Sequence, residues 1–455
     1  MPRPDDLGGA GPLGRGPLGR GQLGRGPLDL GPLARAARRS LNGEHPGEVG
    51  IALPPLCDHH VHLGLADAGA VRAGGIAAVL DLGWDPAVIA RLAATVDVPR
   101  IAFAGALLAA PGGYPLGRWG PPTAVHEVAE HGHGHGHGDR LGQGHGDRRA
   151  HGPGDGRVHG HDAAGTPADH AVREQAAFGA SVIKITLNSD AGPVFGDDVL
   201  ADVVGAARAA GLPVVAHVEG EDMARRAIEA GIDALAHTPW TERLDDALIA
   251  EAVDRGQRWI STLDIHGWGA GGADHDRAVD NLRRFHAAGG VVLYGTDLGN
   301  GDLPAGVNPR EVAGLVASGL DPAAILSAMT AAWPGGRSRS REAVDAREAS
   351  VTVDRRDAPA ARDPRERHER HEVHEGHEGH DAPEASVAPA SPDRRDAPGA
   401  RGSFDARDDT HDPFDALEAL ATFVAGPPPA AIEDLGAWLA TARILPAEEL
   451  EPIDR

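Results

Sequence analysis

Asp58-His59-His60-Val61-His62 follows the apolar run Ile51-Ala52-Leu53-Pro54-Pro55-Leu56 and sets two imidazoles two residues apart. Side chains at i and i+2 of a strand share a face, so His60 and His62 point together while Val61 points into the opposite layer. Two imidazoles on one face can hold one divalent cation. The pair alone is a weak signal, because the chain has 25 histidines and His-x-His also arises by chance.

A second signal comes from composition. Of 43 cationic side chains only one, Lys184, is lysine. On a surface either cation serves, but arginine cannot stand in where an amine must shed its proton, since the guanidinium stays charged. Lys184 sits in Ser181-Val182-Ile183-Lys184-Ile185-Thr186-Leu187, a β-branched run that reads as a buried strand. The plain alternative is a relic whose amine snorkels to solvent.

The elements that must position these groups follow from the texture of the chain after Ile51, where short apolar runs alternate with alanine-rich amphipathic stretches. Candidate strands run from Leu53 to His62, Ile76 to Leu82, Arg100 to Leu107, Ser181 to Leu187, Pro213 to Val218, Ala234 to Thr238, Arg258 to Leu263 and Val291 to Asp297. Helices fit at Asp85 to Thr95, Pro167 to Phe178, Asp197 to Ala210, Glu221 to Ala230, Leu244 to Arg255 and Asp276 to Ala288, with Pro309 to Ala331 closing the set. Strands each followed by a helix predict an α/β fold, a TIM (β/α)8 barrel of about 250 residues plus insertions. In that fold chemistry sits at the C-terminal strand ends. Here those ends carry His60 and His62, Lys184, His217, His237 and Asp297. Singly, His217 or His237 reads as a structural histidine; together the six form a ligand set suited to two divalent ions.

The rest of the chain bounds the reading. Residues 1–48 hold a five-residue Gly/Pro/Leu/Arg repeat, beginning Gly11-Pro12-Leu13-Gly14-Arg15, whose period excludes collagen and predicts a disordered arm. The barrel is expected over 49–335, with a His/Gly-rich insertion at about 122–164 that contains His131, His133, His135 and His137. A charged, His-rich disordered linker is expected over 336–412, with His368, His371, His374, His377 and His380 at every third residue, then a helical segment over 413–455. The tracts read equally as solvated insertions or as loose metal buffers. A formal charge of −24 argues against nucleic acid and anionic membrane as partners, and nothing reads as a signal peptide or membrane span, so a cytoplasmic location is expected. The single cysteine, Cys57, excludes an intrachain disulfide and reads as a buried structural thiol.

These motifs taken together resemble the amidohydrolase superfamily, within it the imidazolonepropionase-like and prolidase-like members. The carriers are Asp58-His59-His60-Val61-His62, Val182-Ile183-Lys184-Ile185, Val215-Ala216-His217, Ala236-His237-Thr238 and Gly295-Thr296-Asp297-Leu298-Gly299, over about residues 51–335. The resemblance implies two divalent metal ions, Zn²⁺ by preference. His60, His62 and Asp297 would hold the more buried ion, His217 and His237 the more exposed one, and Lys184, carboxylated by CO₂ to a carbamate, would bridge them. It implies that Asp297 moves the proton in hydrolysis of an amide, lactam or related C–N bond of a small molecule. The family's β-sandwich is expected to be absent or vestigial, because its flanks are here a glycine-rich repeat and a charged linker. Tyr114, Arg118 and Trp119, Trp240, and His266 with Trp268 follow the third, sixth and seventh strands, and are candidates for the substrate wall or for loop anchors. Alternatives left open are the same barrel acting on lactones or phosphoesters and a metal-buffering protein working through its histidine tracts; retention of all six candidate ligands argues against a catalytically dead relative. Oligomeric state is also left open.

Overall fold

The computed structural model describes residues 26–42, 44–130, 165–331 and 415–453. Strand β1 (Arg35–Arg39) leads to β2 (Val49–Leu53), and Pro54-Pro55 then separates β2 from β3 (Cys57–Val61). The run from Leu53 to His62 is therefore two elements in two different sheets. Proline donates no hydrogen bond and disfavours a continuous ladder, which is the physical reason for the break.

Parallel strands alternate with helices from there. After α1 (Ala68–Ala73) come β4 (Ala78–Asp81), α2 (Pro86–Ala93), β5 (Arg100–Phe103), β6 (Leu107–Ala109) and β7 (Val125–Glu127). Then follow α3 (Pro167–Ala177), β8 (Ile183–Asn188), α4 (Asp197–Ala209), β9 (Val214–Glu219), α5 (Met223–Glu229) and β10 (Ala234–Leu235). The series ends with α6 (Asp246–Asp254), β11 (Arg258–Ile260), α7 (Ala273–Ala287), β12 (Val291–Leu293), α8 (Pro309–Ala317) and α9 (Pro322–Thr330).

Three expected boundaries move. The third strand splits at Gly105, where φ is +78° and an added Cβ would lie 2.4 Å from Gln175 Oε1, the atom that accepts the Ala106 N–H at 2.8 Å. The closing helix divides around Gly319, at φ +85°, and Asp321-Pro322 restarts it with a side-chain cap on Ala324 N. β7 was not expected: residues 125–127 pair with β6 instead of opening the insertion, and His126 lies 3.0 Å from Glu174. The histidine tracts from His131 and from His368 lie outside the described residues.

The strands form a seven-stranded parallel sheet ordered β12-β11-β10-β9-β8-β6-β7 and a three-stranded parallel sheet ordered β3-β4-β5. Hydrogen bonds join both edges of the three-stranded sheet to the larger one. His59 N–H donates to Tyr294 O at 2.9 Å, Asp297 N–H to His60 O at 2.8 Å and His62 N–H to Leu298 O at 2.7 Å, while Ser181 N–H donates to Phe103 O at 2.8 Å. Alternate residues divide between two cores. Ile183, Ile185 and Leu187 join the large core that includes helix residues, whereas Val182 belongs with Leu80, Val215, Ile260 and Leu293 in a smaller second cluster. Strands buried on both faces read as continuous apolar runs, which is why they were visible in sequence.

From residue 415 onward come β13 (Leu420–Ala425), α10 (Leu435–Leu439), β14 (Arg443–Pro446) and β15 (Leu450–Pro452). With β1 and β2 they build a five-stranded antiparallel sheet ordered β14-β13-β2-β1-β15. This corrects two expectations. The arm is not featureless to residue 48, since β1 lies within it, and the C-terminal segment is not purely helical, since it supplies three strands of this one sheet. Thr422 and Phe423 face Leu53 and Ala52 across β13 and β2, so pairing partners hundreds of residues away decide the conformation of a segment whose own apolar spacing is ambiguous.

Candidate active site

Each candidate side chain is aimed by a backbone feature of its own strand. On β3, Asp58 is buried and accepts the N–H of His60 and of Thr296, both at 3.1 Å, and the Thr296 hydroxyl at 2.6 Å. One carboxylate thus ties the His60 turn of β3 to the segment that presents Asp297. Burial pushes the Asp58 carboxyl up to about 7, against the opposing pull of these hydrogen bonds. Asp81 does the same on the next strand, accepting Leu63 N–H at 2.7 Å and Gly83 N–H at 3.1 Å, and Gly83 O in turn holds His62 Nδ1 at 3.0 Å.

These outer contacts orient the rings. Ala236 O holds His60 Nδ1 at 2.8 Å, so in both His60 and His62 the Nε2 atom is left for the cavity, each 3.1 Å from Asp297 Oδ1. His60, His62 and Asp297 form a ligand-type group whose donor atoms all lie within 4.8 Å of one another. His60 Nε2 and Asp297 Oδ1 are nonetheless without a hydrogen-bond partner, which shows proximity without hydrogen-bond alignment. Asn300 Nδ2 donates to the other oxygen, Asp297 Oδ2, at 2.9 Å. His59, on the opposite face, spends both ring nitrogens on backbone carbonyls of Tyr294 and Ala331.

His237 Nδ1 meets Thr262 Oγ1 at 2.9 Å, and His217 Nε2 meets Glu219 Oε2 at 3.0 Å, leaving Nε2 of His237 and Nδ1 of His217 as the nitrogens available to an ion. Glu219 also accepts from Asn188 Nδ2 at 2.6 Å. Lys184 is buried and its Nζ has no hydrogen-bond partner. Burial lowers its amine to about 7, with the Asp297 charge opposing, so near neutral pH the group is poised to lose its proton.

Burial likewise holds His60 and His237 well below the usual imidazole range and lowers His217, keeping them neutral and able to donate lone pairs. Burial alone would raise Asp297, but the His60 and His62 interactions outweigh it and hold this carboxyl well below the usual range. Thr262 and Asp297 both adopt positive φ, +41° and +60°. Such strain costs about 1–3 kcal/mol per residue and persists only where surrounding contacts over-determine it.

The structure brings all of these groups to one cavity of about 170 Å³. His60, His62, Lys184, His217, His237 and Asp297 line it, and so do the four wall candidates Tyr114, Trp119, Trp240 and His266. Tyr114 stacks on His217 at 5.1 Å between centroids, Trp240 stacks on His266 at 4.3 Å, and Trp119 meets the edge of His62 at 4.6 Å. Burial lowers His266 to about 4 and raises the Tyr114 hydroxyl to about 12. Trp268 also lines the cavity, whereas Arg118 is exposed and does not. Sequence reasoning missed Glu219 and Asn300. Glu219 was findable, since it stands two residues from His217 on the same strand face; Asn300 is delivered by a turn and left no periodic signal.

No protein-family model matches the chain. An uncharacterized protein of Mycobacterium tuberculosis is 28% identical over 319 residues, covering 66% of this chain and 77% of its own. Solved structures similar in fold include an Xaa-Pro dipeptidase with bound methionine in the active site, 22% identical over 61% of this chain and 73% of that one, with a TM-score of 0.44. A. niger ochratoxinase is 20% identical over 61% and 70%, with a TM-score of 0.44, and an amidohydrolase is 20% identical over 64% and 76%, with a TM-score of 0.43. No helix among the described residues is long and apolar enough to cross a membrane.

Proposed function

We propose that this chain is a metal-dependent hydrolase of the amidohydrolase superfamily, built on a closed (β/α)8 barrel, that cleaves an amide, lactam or other C–N bond of a small molecule. The observation that carries the reading is the convergence of buried His60 Nε2, Asp297 Oδ1 and Lys184 Nζ, all without hydrogen-bond partners, on one cavity. Leaving a buried polar group unpaired costs about 1–3 kcal/mol, more when charged, and a bound cation relieves that cost for lone-pair donors. The hydrogen bonds that join both edges of the three-stranded sheet to the seven-stranded one, at β12 and at β8, support the closed barrel.

The donor set fits a pair of ions. His60, His62 and Asp297 would hold one, and His217 with His237 the other. Lys184, carboxylated by CO₂, would supply the shared anionic oxygen that no arginine could provide. Imidazole and carboxylate donors without thiolate suit Zn²⁺. When bound, the ions supply Lewis acidity toward the scissile carbonyl and lower the pKa of water. Asp297 takes the proton from the attacking water and returns it to the leaving nitrogen, so that the C–N bond breaks to give an acid and an amine. Asn300 restrains one Asp297 oxygen while this happens, and Trp119 and Trp240 limit the water that reaches the site.

The test is the count of tightly held metal after exhaustive dialysis, on the full chain and on Lys184→Ala. About two ions per chain, falling to one or none in the variant, are expected from a bridged pair. Equal metal content in both proteins overturns the bridge. Hydrolysis confined to lactones or phosphotriesters in a substrate panel overturns the C–N assignment.

A further inference from the structure

The aromatic side chains of this chain are few and unevenly placed. It contains only 7 tryptophans and 2 tyrosines, yet Trp119, Trp240, Trp268 and Tyr114 all line the single cavity that holds the histidine cluster. Trp268 stands at its edge, 48% exposed, with a backbone φ of +50°. An exposed indole in a left-handed backbone conformation gains little from folding, and its ring lies where a Cβ on Gly301 would approach to 2.3 Å, so the neighbouring loop is shaped around it. A ligand stacking on that ring would supply the missing return.

The charges around the same cavity are as uneven. Among the described residues the lining contains no arginine, and its one lysine is Lys184, buried in the histidine cluster. Arg118, whose charge reaches Tyr114, is exposed and outside the lining, and Arg310 is bound to Asp264 at 2.9 Å. Away from the candidate ligands, the groups left to meet a substrate are aromatic faces, the apolar Leu107, Pro115 and Ile265, the His266 imidazole that burial keeps neutral, the Asn300 amide and the Glu219 carboxylate. Apart from the ions proposed above, a free carboxylate on the substrate would find no cationic side chain there beyond the bridging Lys184, while a planar neutral or cationic group would find aromatic faces and one anion.

We propose that the substrate's non-reacting part is a planar aromatic group, neutral or positively charged and without a free carboxylate, held by Tyr114, Trp119, Trp240 and Trp268, with Glu219 setting the preference for positive charge. This rests on the cavity being the active site. The size of the cavity, about 170 Å³, is below the roughly 300–1,000 Å³ typical of pockets for drug-sized ligands and sets a single-ring substrate as the scale.

Three acetanilides test it on the full chain: the parent compound, its para-aminomethyl derivative and its para-carboxylate derivative. Binding is read by quenching of tryptophan fluorescence and turnover separately by aniline release. The neutral and cationic compounds are expected to bind at least about tenfold more tightly than the carboxylate, the cost of one unpaired charge. In Glu219→Gln the lead of the cationic over the neutral compound should fall toward one. Equal or tighter binding of the carboxylate, or no binding of any of the three, overturns the proposal. The expected binding order without aniline release supports this inference while counting against the C–N hydrolase reading; aniline release without that order does the reverse.

Discussion

At the scale of single residues, buried acids divide into those that the site uses and those that brace it. Glu311 belongs to the second kind. It is fully buried on α8, accepts Asp264 N–H at 2.8 Å through one oxygen and leaves the other without a partner. Burial raises its carboxyl to about 7 from an ordinary 4.5. The folded chain therefore binds this proton more tightly than the unfolded chain. The group's favourable contribution is fully present below about pH 4.5, is lost as pH rises toward 7, and is a net penalty above it. Glu311→Gln keeps a neutral acceptor for Asp264 and should stabilise the protein at pH 8 by on the order of 3 kcal/mol, with little change at pH 4.5. Urea unfolding of both proteins at the two pH values checks this; a variant no more stable at pH 8 than the parent refutes the assignment.

At the scale of elements, backbone approach decides more than side-chain type. Gly50 in β2 shows it: an added Cβ would lie 2.2 Å from Val424 O and 2.6 Å from the Phe423 ring, both on the paired strand β13. A carbonyl fixed in a ladder cannot yield as a flexible side chain would. Gly50→Val is thus expected to cost about 1–3 kcal/mol, read as a lowered urea midpoint with the parallel strands still formed by circular dichroism. The strands carrying His60, Lys184 and His217 were legible because two-sided burial leaves continuous apolar runs with one polar residue out of place. β1 and β7 were not, since Arg35–Arg39 and Val125–Glu127 carry no apolar run and exist as strands through their partners. Glu219 and Asn300 escaped notice for a related reason, because their importance lies in what they face, His217 and Asp297.

At the scale of the whole molecule, the two ends of the described chain are one structural unit. β13 lies between β2 and β14, β15 pairs with β1, and Leu435 and Leu439 of α10 are buried in the same core as the α8 residues Val312 and Leu315. A chain ending at residue 331 would lose three of the five strands of the antiparallel sheet and uncover that face of α8. Such a truncation should fail to give a cooperative thermal transition, a sharper outcome than any single core substitution. A truncated chain melting within a few degrees of the parent would mean that the parallel sheets and their helices are self-sufficient.

What the sequence determined by itself was the chemistry available and the order in which it is delivered. One lysine among arginines, a pair of histidines at strand spacing and polar residues closing apolar runs are local properties, and strand geometry turns each into a direction. Tertiary structure decided the rest. It joined the ends of β3 and β12 so that His60, His62 and Asp297 meet, paired flanking segments into a sheet that neither specifies alone, and surrounded the cavity with aromatic rings drawn from loops far apart in the chain. These are non-local pairings, and a residue's own neighbours in sequence carry no record of them.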